Sequence, residues 1–339
     1  MVDCITVGSA TIDAFLTIHH ANIHCRLNEK DCELCVKYGE KIQLDACEFL
    51  LGGNACNVAV GLRRVGFTTA VVVEIGDDEF GKKIKRTLIE DDVDTSFVTV
   101  GHAPSSFAVA INFKGERTLF VEHILRKHDF SYFSFGSTKS KWMYLTSLGN
   151  EWKHAYNNAL SFVKEHDIRL AFNPGTVQIA EDGDTLTPFL KQTEVLFLNR
   201  EEAMKMVTSN KQQVISNKEK EYEENMGKLL TALQKMGAKT VVITDGEKGS
   251  FALNTDGNMY ACPILDAPVV EKTGAGDAFA SGFLAGILAG CDVPTCMQWG
   301  TVNAASVIGK VGAQPGLLSR EEIEKRVVSV KLSVNKIFL

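Results

Sequence analysis

The strongest chemical signal in the chain is a run of seven residues, Thr273-Gly274-Ala275-Gly276-Asp277-Ala278-Phe279. It follows Val269-Val270 and opens an apolar, glycine-rich helical segment that runs to about Gly290. Gly274 and Gly276 place no Cβ in the way of an approaching ligand. The first amides of a helix have no intrahelical acceptor, so Gly274, Ala275 and Gly276 form a candidate anion hole. A carboxylate at that helix start, Asp277, can take a proton from an alcohol while the amides stabilise charge on a transferring phosphoryl group. Taken alone, an aspartate after a glycine turn is equally an ordinary helix cap. The full string before an apolar helix is far more specific.

Elements that could position such a site are legible in the rest of the chain. Short apolar runs at Cys4–Val7, Val71–Val73, Trp142–Leu145, Leu170–Phe172, Val195–Leu198 and Thr240–Thr244 read as strands. Between them, Asn54–Val65, Phe80–Asp91, Glu151–His166, Arg200–Met206 and Glu223–Met236 carry helical patterns. This alternation predicts a doubly wound α/β core with a mostly parallel sheet and helices on both faces. Two stretches break the rhythm, about 15–51 and 105–121. In the second, Phe107, Val109, Ile111 and Phe113 alternate toward one side, and a turn at Lys114-Gly115-Glu116 leads to a second strand. These read as a small β-sheet lid that excludes water from the reaction; a decorative edge hairpin is the alternative. The polar stretch Thr208–Glu224 reads as a surface loop running into a helix.

The chain has 339 residues, 45% hydrophobic and 23% charged, with a formal net charge of −6. That is the composition of a soluble globular protein. No basic stripe suggests nucleic acid, and no apolar run is long enough to span a membrane. The start of the chain lacks the basic and apolar regions of a signal peptide. Nine cysteines are present, but Cys32-x-x-Cys35 has no second pair to complete a zinc site. The cysteines are therefore expected as reduced thiols in a cytoplasmic protein.

Thr273–Phe279 resembles the C-terminal signature of the ribokinase-like PfkB family of carbohydrate and nucleoside kinases. Gly52-Gly53-Asn54-Ala55-Cys56-Asn57-Val58-Ala59, about 220 residues earlier, resembles its N-terminal signature. The resemblance covers essentially the whole chain and implies a single ribokinase-like domain over 1–339. It implies ATP-dependent transfer of the γ-phosphate to a hydroxyl of a small sugar, with Asp277 as base. Further roles come with it. Asp13, at the end of the first strand region, matches the residue that binds substrate hydroxyls, together with Gly53 and Asn57. Asn199-Arg200-Glu201-Glu202 matches an NxxE motif, in which Glu202 organises magnesium. Thr244, Gly246 and Gly249 match a nucleotide-binding turn. Asn173 faces the phosphate channel, and Asn303 begins the region around the adenine base. Potassium is a candidate cofactor beside ATP and magnesium, although Glu271 stands where an aspartate is usual. Asn54 replaces the lysine that many relatives carry after the glycine pair, which argues against an already phosphorylated acceptor. The lid is a candidate homodimer surface.

Other readings are a nucleoside kinase, with Phe107, Phe113 and Phe120 as a base platform, and a non-catalytic ligand sensor on the same fold. The intact Asp277 argues against the sensor. A dinucleotide-dependent oxidoreductase is excluded by placement, because no GxGxxG follows the first strand. The GxxxxGK[ST] loop of other nucleotide-binding enzymes is also missing from the sequence.

Overall fold

The computed structural model describes residues 2–19, 21–25, 32–113, 116–121, 128, 139–181, 183–208, 222 and 225–337. Valine- and leucine-rich runs form its centre. Strands β1 (Val2–Val7), β6 (Thr69–Gly76), β7 (Val98–Gly101), β10 (Ser140–Thr146), β11 (Arg169–Asn173), β12 (Thr193–Asn199) and β13 (Thr240–Thr244) pair in parallel. Three shorter strands, β14 (Ser250–Leu253), β15 (Met259–Cys262) and β16 (Asn335–Ile337), add an antiparallel edge. Among the described residues the sheet has ten strands, ordered β16-β15-β14-β13-β12-β11-β10-β1-β6-β7. From β1 the chain steps outward to β6 and β7, then returns to the other side of β1 at β10. Ligands of open α/β sheets bind beyond the carboxyl ends of the strands near such a reversal.

Both faces of the sheet are buried, and alternate residues show it. Ile5, Val7, Ala70, Val72, Met143 and Leu145 pack with the helices Lys153–Glu165 and Met226–Lys235. Cys4, Trp142 and Tyr144 point the other way, against the helices Asn54–Val65, Ala275–Leu288 and Val293–Val307. On this second face the helices approach through small residues. A Cβ at Gly300 would lie 2.8 Å from the carbonyl oxygen of Phe279 and 3.0 Å from its ring. A Cβ at Gly61 would collide with Ser281.

A second, four-stranded sheet stands apart, ordered β5-β2-β8-β9. Its strands are β2 (Thr11–Thr17), β5 (Ala46–Gly52), β8 (Ser106–Phe113) and β9 (Glu116–Val121). These are the two sequence stretches expected to leave the core; Lys114 and Gly115, the expected turn, lie outside the described residues. One expectation is corrected. Asp13 does not end the first core strand: β1 stops at Val7, and Asp13 sits within β2 of the small sheet. The three residues between the strands, Gly8-Ser9-Ala10, are too few to mark the boundary in sequence.

A third sheet is the hairpin of β3 (Asn22–Cys25) and β4 (Cys32–Cys35). Seven cysteines are free thiols, Cys35 included, but Cys32 is disulfide-bonded, against the expectation of reduced thiols throughout. The register places Cys25 opposite Cys32. The stretch 208–224 lies almost wholly outside the described residues. No described helix is long and apolar enough to cross a membrane.

The close helix approach gives a stability prediction. Gly300→Leu must push a side chain into Phe279, and overpacking of this kind costs about 1–3 kcal/mol. Urea unfolding should show a lower midpoint with an unchanged slope. An unchanged midpoint would mean that the two helices can separate freely.

Candidate active site

The sheet register lines up polar residues along one edge. Asn173, Asn199 and Thr244 are the last residues of β11, β12 and β13, and Asn199 and Thr244 are direct neighbours. Together with Asn54, Glu202, Lys272 and Gly274–Asp277 they line a cleft of about 270 Å³. Several of these side chains are held. The Tyr144 hydroxyl donates to Asn173 Oδ1 at 3.2 Å, while Asn173 Nδ2 donates to the Phe197 carbonyl at 2.8 Å. Asn199 and Glu202 cap each other: Glu202 N donates to Asn199 Oδ1 at 2.8 Å, and Asn199 N donates to Glu202 Oε2 at 3.0 Å. Burial pushes the Glu202 carboxyl above its ordinary range, against the lowering effects of the Asn199 amide and Lys205. Arg200 Nη1 donates to Asp245 Oδ2 at 2.5 Å and ties the ends of β12 and β13 together.

The helix Ala275–Leu288 starts at the floor of this cleft. Gly274 has a left-handed backbone (φ 76°) and packs so closely on Ala313 that a side chain would clash. No side chain caps the helix start, and a Cβ added at Gly276 would meet only open space. The Gly276 amide therefore opens onto room for a ligand, which is the condition for anion binding, while the Ala275 amide makes only a long bond of 3.4 Å to the Lys272 carbonyl. Asp277 lies in that first turn and Asn57 Nδ2 donates to its Oδ2 at 2.8 Å. The two signature strings thus meet at one hydrogen bond. Burial raises the Asp277 carboxyl from its ordinary 3.8 to about 7; the Asn57 bond opposes the rise, and the charges of Asp13 and Glu202 add to it.

Asp13 faces this centre from the small sheet. Its register partners are Leu50 and Ala108, and Leu50 packs against Gly312, beside the Ala313 that supports Gly274. Thr11 Oγ1 donates to Asp13 Oδ1 at 2.8 Å. The phenylalanines weighed as a base platform are elsewhere. Phe107 and Phe113 are out of step with Ala108, and Phe120 pairs with Val109, so all three lie on the opposite face from Asp13. Phe107 instead stacks on Phe80 with ring centroids 5.1 Å apart, and Phe49 flanks the pair.

The remaining expected residues divide. Gly53 (φ 90°) precedes the helix Asn54–Val65 and presses on the backbone of Ser9 and Ala10. Gly246 opens an exposed turn, and Gly249 (φ 87°) packs against the Cys262 carbonyl; neither lines the cleft. Asn303, expected near an adenine base, is fully buried. Its Nδ2 donates to the Ala278 carbonyl at 2.8 Å, and its Oδ1 accepts from Leu318 N at 3.0 Å. With both ends of its amide occupied, it staples the helix of Asp277 to its neighbours. Glu271, named in connection with potassium, is engaged by Thr273: its Oε1 accepts from Thr273 N at 2.7 Å and from the Thr273 hydroxyl. The sequence reading missed Tyr144 and Lys272. Lys272 stands one residue before the signature and could have been found there, whereas Tyr144 reads only as an apolar strand position.

The buried carboxyl has a consequence for stability. Native Asp277 protonates near 7 and an unfolded aspartate near 3.8, so the stability it contributes is full below about 4 and is lost as pH rises through 7. Asp277→Asn removes that loss. It should be more stable than the parent at pH 8 by on the order of 2–4 kcal/mol, at about 1.4 kcal/mol per tenfold change, and nearly equal at pH 4. Urea titrations at both pH values check this; the same difference at both would place the carboxylate in water.

Comparison with known proteins shows the family and the fold. The family model described as "pfkB family carbohydrate kinase" matches residues 14–320. A 5-dehydro-2-deoxygluconokinase of Bacillus licheniformis is 24% identical over 300 residues, covering 82% of this chain and 87% of that one. The structure of Arabidopsis thaliana ribokinase complexed with ribose and ATP superposes with a TM-score of 0.72 at 20% identity, covering 96% of this chain and 98% of the other. Burkholderia thailandensis nucleoside kinase in complex with inosine gives 0.72 at 18%, with the same coverage. With both signature strings joined at Asp277 and a family match over nearly its whole length, the chain belongs to the pfkB family of carbohydrate kinases.

Proposed function

We propose that this protein transfers the γ-phosphate of ATP to a hydroxyl of a small, unphosphorylated sugar, with Asp277 as general base. One observation carries the proposal. A buried carboxylate, held by Asn57, stands at an uncapped helix start between a polar cleft on one side and the Asp13 face of the small sheet on the other. The cleft suits the donor and the Asp13 face suits the acceptor.

The acceptor hydroxyl gives its proton to the Asp277 carboxylate as its oxygen bonds to the γ-phosphorus. The bond from that phosphorus to the bridging oxygen breaks, and ADP leaves. The first-turn amides of Ala275 and Gly276 stabilise the charge on the transferring group. Asn173, Asn199 and Thr244 offer polar contacts to the phosphate chain. Asp13 and Asn57 orient the acceptor hydroxyls, charged acceptors making the stronger bonds. The small sheet serves as the lid that keeps water from competing.

Magnesium is held by few carboxylates and completes its shell with water and phosphate oxygens. Glu202 is an oxygen donor of that kind in the cleft. When bound, the ion would neutralise phosphate charge. Lys272 adds a cation on the same wall. A sugar acceptor is supported over a nucleoside by the sheet register, which turns Phe107, Phe113 and Phe120 away from the Asp13 side. Asn54 supports an uncharged acceptor: directly after Gly53 at the helix start, its neutral amide donates to Thr146 Oγ1 at 3.4 Å, where a lysine would bring a charge.

Two measurements test the proposal. The base works only when ionised, so kcat should fall on the acid side with a midpoint near pH 7, the value to which burial raises Asp277. Asp277→Asn should lower kcat by roughly 10²–10⁴-fold with ATP affinity little changed. Near-normal turnover in that variant would remove Asp277 from the role. Separately, Glu202→Gln should raise the magnesium concentration for half-maximal rate by roughly tenfold. Superimposable magnesium titrations would reduce the Asn199–Glu202 pair to a helix cap.

A further inference from the structure

Behind the Asn57–Asp277 contact lies a residue that neither signature contains. Gln314 Nε2 donates to Asn57 Oδ1 at 3.0 Å, on the side of the Asn57 amide away from Asp277. Asn57 and Gln314 are 4% and 6% exposed, so water cannot readily take over either bond. The oxygen and nitrogen of an asparagine amide are nearly equal in size, and only its partners decide which way it points. If the amide were reversed, its oxygen would face the Asp277 carboxylate and repel it.

Gln314 itself is fixed from three directions. Arg64 Nη1 donates to its carbonyl at 2.6 Å, and Arg64 is in turn paired with Asp91. The preceding residue, Ala313, is pressed against Gly274. Four residues on, Leu318 N is held by Asn303. The amide of Gln314 therefore belongs to a loop anchored to both of the helices whose starts meet at the site.

We infer that Gln314 is a positioning residue for the reaction: by donating to Asn57 Oδ1 it locks the Asn57 amide with its NH₂ toward Asp277, and so keeps the base aimed and ionisable. The inference rests on the assignment of Asp277 as base, and its effect passes entirely through Asn57.

Gln314→Met keeps length and volume and removes the donor. With the lock gone, Asn57 spends time reversed, Asp277 is harder to ionise, and the acid limb of the kcat profile should move upward by about one pH unit. At pH 7, kcat should fall about five- to sixfold, with KM for ATP within about twofold. In an Asn57→Ala background the same change should do nothing further to the limb, because the amide it orients is gone. Gln314→Glu is the second variant: its carboxylate attracts the Asn57 NH₂ and should move the limb further in the same direction. If the Met variant does not fold, the Glu variant is read by the same criterion. An unmoved acid limb in a folded variant overturns the inference, as does an equal shift with and without Asn57. Retained turnover in Asp277→Asn would be a different failure, that of the base assignment itself.

Discussion

The structure depends on one bond across two distant parts of the chain, from Asn57 to Asp277, 220 residues apart. It joins the first turns of two helices that are far apart in the chain but pack against each other in the core. Burial makes the Asp277 charge costly, and the asparagine donor makes that cost bearable without cancelling it. A fully solvated aspartate would be a weak base at neutral pH, and one paired with a cation would be weaker still. The intermediate setting, a buried carboxyl with a single neutral donor and two carboxylates nearby, is the one that suits proton abstraction near pH 7.

The surrounding architecture serves that setting. Parallel strands end together, so their last residues form a polar row without any loop having to reach for it. Helices that cross at glycines bring the helix of Asp277 close to its neighbours on both sides. Asn303 and the loop at Gln314 fill the space behind it with satisfied hydrogen bonds, so little is left free to relax when a charge forms at Asp277.

What could be read from the sequence was what is local in it. The TGAGDAF and GGNACN strings are contiguous and sit at helix starts, so their chemistry shows without a fold. The core strands announce themselves by apolar runs, and the helix Asn54–Val65 has the expected bounds. Less was legible where three-dimensional context decides. Asp13 looked like the end of a core strand because a break of three residues leaves no mark in the pattern. Strands β14 to β16 are short, of mixed composition and at an edge, so no periodicity betrays them. Asn303 carried a plausible ligand role by position, while its hydrogen bonds to the Ala278 carbonyl and the Leu318 amide exist only once the helices are packed. Gln314 has no local signal at all: its partner is 257 residues away.

The crossing of the two signature helices adds a constraint of another kind. Gly61 lies four residues beyond Asn57, and Ser281 four residues beyond Asp277, so the Gly61–Ser281 contact is one helical turn below the bond that holds Asp277. That contact is a fulcrum. Any bulk added there levers the helix starts apart above it, and a hydrogen bond of 2.8 Å tolerates little such travel. Side-chain volume at positions 61 and 281 is thus a shared allowance: growth at Gly61 must be matched by shrinkage at Ser281, and growth at Ser281 has nothing to match it, because Gly61 has no side chain to lose. A change at either would present itself as damaged chemistry in a protein that still folds, although neither residue is placed to touch a substrate.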